Sequence, residues 1–194
     1  ALNIIRYRAK EMDICGIKKQ GKMAAIINLS NKDIENLISL SNGNIIIANY
    51  NSNKQTIISG NSNDMDNTIS YCKKNKIKGV IPLNVSGAFH SPLMEDARIS
   101  LEKIINSTKF NDVKIPVYQN YMAEKNIKGH KIKNNLIYQL TSPVLWLNII
   151  NNMAKDNFTD FIEAGPGNVL KKLNKNINKD LNNLDYKELI KNEK

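Results

Sequence analysis

The chain has 194 residues, 41% of them hydrophobic and 24% charged, which suits one large domain or two small ones and excludes disorder as the default. No apolar run is long enough to span a bilayer, no signal peptide follows Ala1-Leu2-Asn3, and Cys15 and Cys72 are too isolated for a zinc site or a disulfide framework. Lysine and arginine exceed the acidic residues by 28 to 18, which points to an acidic partner or substrate, but the lysines are dispersed among asparagines with few aromatics, so a solvated surface accounts for them better than a nucleic-acid face.

In chain order, residues 2–15 read as the end of a helix closed by Gly16, with Leu2, Ile5, Met12 and Cys15 as its apolar positions. "KKQGK" follows as a basic turn. From residue 22 to 86 the pattern becomes strand (23–29), helix opened by Asn31 (31–41), strand (44–51), strand (55–60), helix (63–75) and strand (78–86). That β-α-β-β-α-β order predicts a small ferredoxin-like subdomain over 22–86. Residues 91–107 predict an amphipathic helix with Leu93, Ala97, Leu101, Ile104 and Ile105 near one face. A short strand lies within 113–120, two helices broken at Ser142-Pro143 within 134–157, and a strand, a Gly-Pro-Gly turn and a helix within 159–177. Such alternation belongs to a layered α/β domain. The polar tail from Asn178 reads as a loose helix. The start without methionine is expected of a chain trimmed upstream.

His90, in "VSGAFHSPLMEDA", is the leading candidate for chemistry. Ser91 suits a helix cap and Pro92 a first helical turn, so the imidazole sits at the positive end of a helix, which favours the neutral ring that a general base needs. His130, among lysines, reads as a surface loop residue. The sequence offers no Gly-x-Ser-x-Gly elbow; Ser91 reads as a cap, and Cys15 and Cys72 as small core residues. A base is present and a credible nucleophile is not.

Arg6 and Arg8 point to opposite sides of a helix, and Met12 lies one turn beyond Arg8 on the same face. From these residues alone Arg8 reads as a solvated surface arginine; turned inward it needs an anion, which it binds through two parallel hydrogen bonds. "EAGPGN", Glu163 to Asn168, has neither dinucleotide-fold nor Walker spacing and reads as a structural turn.

Six stretches, in order, resemble the malonyl-CoA:acyl carrier protein transacylase family: "RAKEM" from Arg8, with Ala9 where the family has Gly, then "MAAIINL", "ANYNSNKQTIISG", "GAFHSPLMEDA", "YQLTSPVLW" and "FIEAGPGNVL". The resemblance runs to about Asn176 and implies the C-terminal part of an α/β-hydrolase-like acyltransferase core (1–21 and 87–194) with the ferredoxin-like subdomain inserted. It implies malonyl transfer from malonyl-CoA to the phosphopantetheine thiol of acyl carrier protein by a ping-pong route, in the service of fatty acid biosynthesis. It assigns His90 as the base, the Gln139 backbone carbonyl as its orienting partner, and Arg8 as the grip on the malonyl carboxylate. Phe89 is implied to narrow the pocket against an α-methyl group, with Asn49 and Met12 near the substrate. The family's serine elbow is not among these residues. The resemblance implies no metal and no redox cofactor; the partners are acyl carrier protein and coenzyme A, without nucleic acid or membrane, in a monomeric complete enzyme. The Lys, Asn and Ile bias suggests an AT-rich genome and a cytoplasmic or plastid-type (apicoplast) location. The alternatives are another acyl specificity on the same fold, a basic binding module, and an inactive fragment.

Overall fold

The computed structural model describes residues 1–41 and 43–186. Helix α1 (Leu2–Lys18) runs straight through Gly16, so this glycine does not close the helix as its sequence context suggested. Its function is close approach: a Cβ added at Gly16 would lie 2.3 Å from the Ser86 carbonyl oxygen. The helix therefore rests directly on the backbone that leads to His90.

The next elements are β1 (Gly21–Ile27), α2 (Asn31–Ser39), β2 (Ile45–Ser52), β3 (Gln55–Asn61), α3 (Ser62–Lys74) and β4 (Val80–Pro82). The four strands form one sheet in the order β2-β3-β1-β4, with every neighbouring pair antiparallel. Ser30, one residue before the predicted start, caps α2 by accepting the Asp33 N–H, and Asn61 caps α3 by accepting that of Asp64. Strand β4 is much shorter than expected. Pro82 has no N–H for the ladder, and among the described residues beyond it only Leu83 donates to the sheet, on the Met23 carbonyl.

Alternation along the strands divides their side chains between two faces. Ala24, Ile26, Ile45 and Ile58 pack with Ile34 of α2 and with Met65 and Ile69 of α3, so both helices cover one face. Met23, Ala25, Ala48 and Ile57 lie on the other face, against Leu83 and Phe89. This second face looks toward the segment that carries His90.

After a single 3-10 turn (Pro92–Met94) come α4 (Glu95–Ser107), β5 (Val117–Tyr118), β6 (Lys125–Asn126), α5 (Gly129–Tyr138), α6 (Trp146–Lys155), β7 (Asp160–Glu163), α7 (Val169–Ile177) and β8 (Asn182–Asp185). The predicted helix over 91–107 is thus a 3-10 turn followed by an α-helix. Cys15 of α1 joins Met94, Ala97, Leu101, Ile105, Ile137 and Leu140 in a second core, bringing α1, α4 and α5 together. Both cysteines are free and buried, as their positions within helices suggested.

The tail departs from the sequence reading. Asn182–Asp185 is a strand paired in parallel with β7. Buried amides explain the departure: Trp146 Nε1–H donates to Asn174 Oδ1, and Asn174 Nδ2 donates to Asn183 Oδ1. These bonds give buried polar groups their partners and tie the segment to α6 and α7. The rest of the predicted tail helix, 187–194, lies outside the described residues. Among the described residues, no helix is long and apolar enough to cross a membrane.

Candidate active site

Between β4 and α4 the chain runs through a narrow seat. Gly16 meets Ser86 from one side, while a Cβ on Gly21 would lie 2.5 Å from the Ala88 Cβ. His90 follows with φ +56°, in the left-handed region, which histidine enters more readily than most side chains. Ser91 is 2% exposed; its hydroxyl donates to the Ala88 carbonyl at 2.6 Å and accepts the Leu93 N–H at 3.2 Å. Both bonds fix the turn after His90, so Ser91 is the predicted cap and not a nucleophile.

The His90 Nδ1 stands 2.9 Å from the Gln139 carbonyl oxygen and 3.1 Å from that of Ser142. A carbonyl oxygen only accepts, so Nδ1 carries the hydrogen, and the lone pair of the neutral ring is on Nε2. The ring is held below the ordinary histidine range, first by burial and further by the Arg8 charge, against an upward pull from the two carbonyls. The sequence led to a neutral imidazole on the strength of a helix end. The structure gives the same direction through burial.

Arg8 is half-buried, whereas Arg6 is exposed. Its Nε is buried and has no hydrogen-bond partner among the described residues, and burial lowers its pKa. The solvated surface arginine of the sequence reading is therefore corrected. Packing α1 onto α4 turns this face inward, and Met12, one turn along, packs on the same core.

Phe89 is partly buried between the α1–α4–α5 core and the open face of the sheet. Arg8, Phe89, His90 and Gln139 thus come together. Asn49 joins them indirectly: it lies at a bulge in β2 and forms a parallel bridge with Val144, on the same loop as Gln139 and Ser142. Sequence reasoning missed the Ser142 carbonyl, although the Ser142-Pro143 break marked that loop. His130 is exposed, as expected, but in the first turn of α5 instead of a loop. Gly167 has φ +103°, and nothing lies within 4 Å of a Cβ built on Gly165 or Gly167, so "EAGPGN" is an open turn. A groove of about 620 Å³ between α2 and α3, lined by Leu29, Leu37, Leu40, Tyr71 and Ile77 among others, shares no residue with the His90 cluster.

The family model of the acyl transferase domain matches residues 1–191. The chain belongs to that family. It is similar to the malonyl CoA-acyl carrier protein transacylase of Bacillus subtilis, with 34% identity over 93% of this chain and 58% of the relative. Among solved structures it resembles the malonyl CoA-acyl carrier protein transacylase of Coxiella burnetii, with TM-score 0.90, 30% identity and coverage of 98% of this chain and 62% of that one. It also resembles a malonyl-transacylase solved in complex with a type II PKS acyl-carrier protein, with TM-score 0.89, 27% identity and coverage of 97% and 63%. This acyl transferase chain thus spans about three fifths of the length of these relatives.

Proposed function

We propose that the chain carries the base and the carboxylate clamp of an acyl transferase that moves malonyl from malonyl-CoA to the phosphopantetheine thiol of an acyl carrier protein. One observation carries the reading: a half-buried arginine, whose Nε has no partner among the described residues, acts through its charge on a histidine whose lone pair is on Nε2. A partly buried cation without an anion carries an unmet desolvation cost, and an acyl thioester that ends in a carboxylate supplies that anion next to the base. The relatives' names supply the acyl group and the carrier. Such transfer serves fatty acid biosynthesis.

The nucleophile is a serine on a segment corresponding to the further length of the relatives. Its hydroxyl attacks the thioester carbonyl while His90 Nε2 takes the proton. The C–S bond breaks, and the proton passes to the departing coenzyme A thiolate. In the second half His90 takes the proton of the carrier thiol as sulfur attacks the serine ester, and returns it to the serine oxygen. The Gln139 carbonyl orients the base. Arg8 orients the acyl group, with Met12 and Asn49 near it, and Phe89 disfavours an α-methyl substituent. The described residues of 22–86 are the ferredoxin-like subdomain, in keeping with the strand order β2-β3-β1-β4, and 1–21 with 87–186 form part of the α/β-hydrolase-like domain.

The test is transfer of radiolabelled malonyl from malonyl-CoA to acyl carrier protein. The chain alone should leave the carrier unlabelled, and addition of the serine-bearing segment should restore labelling. In that complete enzyme His90→Ala should lower turnover by about 10²–10⁴-fold, the usual contribution of a general base. Normal turnover in a folded His90→Ala enzyme removes His90 from the chemistry.

A further inference from the structure

We propose that Val144 is a positioning residue for His90: its two backbone hydrogen bonds to the free edge of β2 hold the Gln139–Ser142 turn so that the turn's carbonyls select the Nδ1–H tautomer. The inference rests on the reading of His90 as the base. Among the described residues β2 pairs with β3 alone within the four-stranded sheet, which leaves its outer edge to other segments. Val144 occupies that edge. Its N–H donates to the Ala48 carbonyl at 2.8 Å, and its carbonyl accepts the Tyr50 N–H at 2.8 Å. These two bonds span Asn49 and make the parallel bridge.

The turn held by this clip is suited to present acceptors. Gln139 is the C-cap of α5, where the last carbonyls of a helix have no partner within it. Ser142 precedes Pro143, which biases its backbone toward the extended region and so limits where its carbonyl points. Pro143 itself offers no N–H. Within the turn only weak local bonds are available, such as Thr141 N–H to the Tyr138 carbonyl at 3.3 Å. Leu140 seats the start of the turn in the α1–α4–α5 core, and the contact that fixes its Ser142 end is the one Val144 makes with the sheet. Without it, the ring loses the Ser142 acceptor and the fixed geometry of the Gln139 one. An unconstrained neutral imidazole favours the Nε2–H form, which places a hydrogen on the atom that must accept one.

The chain's histidine content makes the test direct, because His90 and His130 are the only two and His130, exposed on α5, serves as the internal reference. In the full chain labelled with ¹⁵N-histidine, the ring nitrogen shifts report the tautomer. Wild type should show His90 in the Nδ1–H form. Val144→Pro removes the N–H that reaches Ala48, and the Nδ1–H fraction should fall by at least half; Val144→Ala keeps the backbone bonds and should match wild type. A folded Val144→Pro chain with an undiminished Nδ1–H fraction overturns the proposal. If Val144→Pro does not fold, amide exchange in wild type decides. The Val144 and Tyr50 amides should be protected like the β2–β3 ladder, and exchange of Val144 at the rate of an exposed loop overturns the proposal. The tautomer is read without substrate, so failure of the malonyl assignment, seen as absent transfer, leaves this result standing, and the reverse also holds.

Discussion

Gly16→Ala separates two opposed effects on one helix. In an open helix interior the change stabilises by about 1 kcal/mol, because glycine gives up more backbone freedom on folding than alanine. Here the new methyl would lie 2.3 Å from the Ser86 oxygen and 3.1 Å from its carbon. That is about 1 Å inside ordinary contact, and both partners are backbone, so no side chain can swing aside. Overpacking of this kind typically costs about 1–3 kcal/mol, and a backbone-on-backbone clash belongs at the upper end. After the helical gain, a net loss of about 2 kcal/mol remains. Denaturant unfolding monitored by circular dichroism should show an earlier midpoint with an unchanged slope. A Gly16→Ala chain as stable as wild type, or more stable, would refute the view that Gly16 is kept for the approach of α1 to the His90 segment.

Stability should also carry a signature of His90 in mild acid. Because its folded pKa is depressed, the unfolded chain binds the extra proton first as pH falls below the ordinary histidine value of about 6.5. This group's contribution therefore makes stability fall as pH drops from there to the folded pKa, and it is flat above. Unfolding free energies of wild type and His90→Gln should diverge only in that window, and parallel curves would contradict the buried, neutral ring. Arg8 contributes to the depression, so Arg8→Met should move the His90 titration upward by NMR while Arg6→Met leaves it in place; equal shifts in both would separate Arg8 from the site.

Much of the fold was legible because the residues of 22–86 alternate strand and helix periods cleanly, and local patterns such as Ser91-Pro92 mark the turn they open. The errors came where long-range contacts override local pattern. Gly16 looks like a cap by composition, yet the helix runs through it, and its missing side chain leaves the space that the backbone of Ser86 needs. Asn182–Asp185 has no strand composition and becomes one through β7 and the buried Asn174 and Asn183 amides. In the site, His90 and its Gln139 partner were reached through motif order. The second acceptor at Ser142 and the inward turn of Arg8 depend on how α1, the α5–α6 loop and β2 meet, which no single stretch of sequence encodes. The sequence pointed to the neutral state of His90 through a helix end, while burial and the Arg8 charge produce it.

The central claim is that Arg8 grips a carboxylate beside the base, and the malonyl-to-acetyl ratio of kcat/KM tests it most directly. Acetyl-CoA has no second carboxylate, so loss of the clamp should weaken malonyl transfer and spare acetyl transfer. Truncating one partner of a desolvated, hydrogen-bonded charge pair costs on the order of 2–5 kcal/mol, or roughly 30-fold and upward in rate, and half-buried Arg8 belongs at the lower end. In the complete enzyme, Arg8→Ala should lower the ratio by at least about that factor, and Arg6→Ala, on the exposed side of α1, should leave it unchanged. An unchanged ratio in Arg8→Ala, or the same fall in Arg6→Ala, contradicts the account.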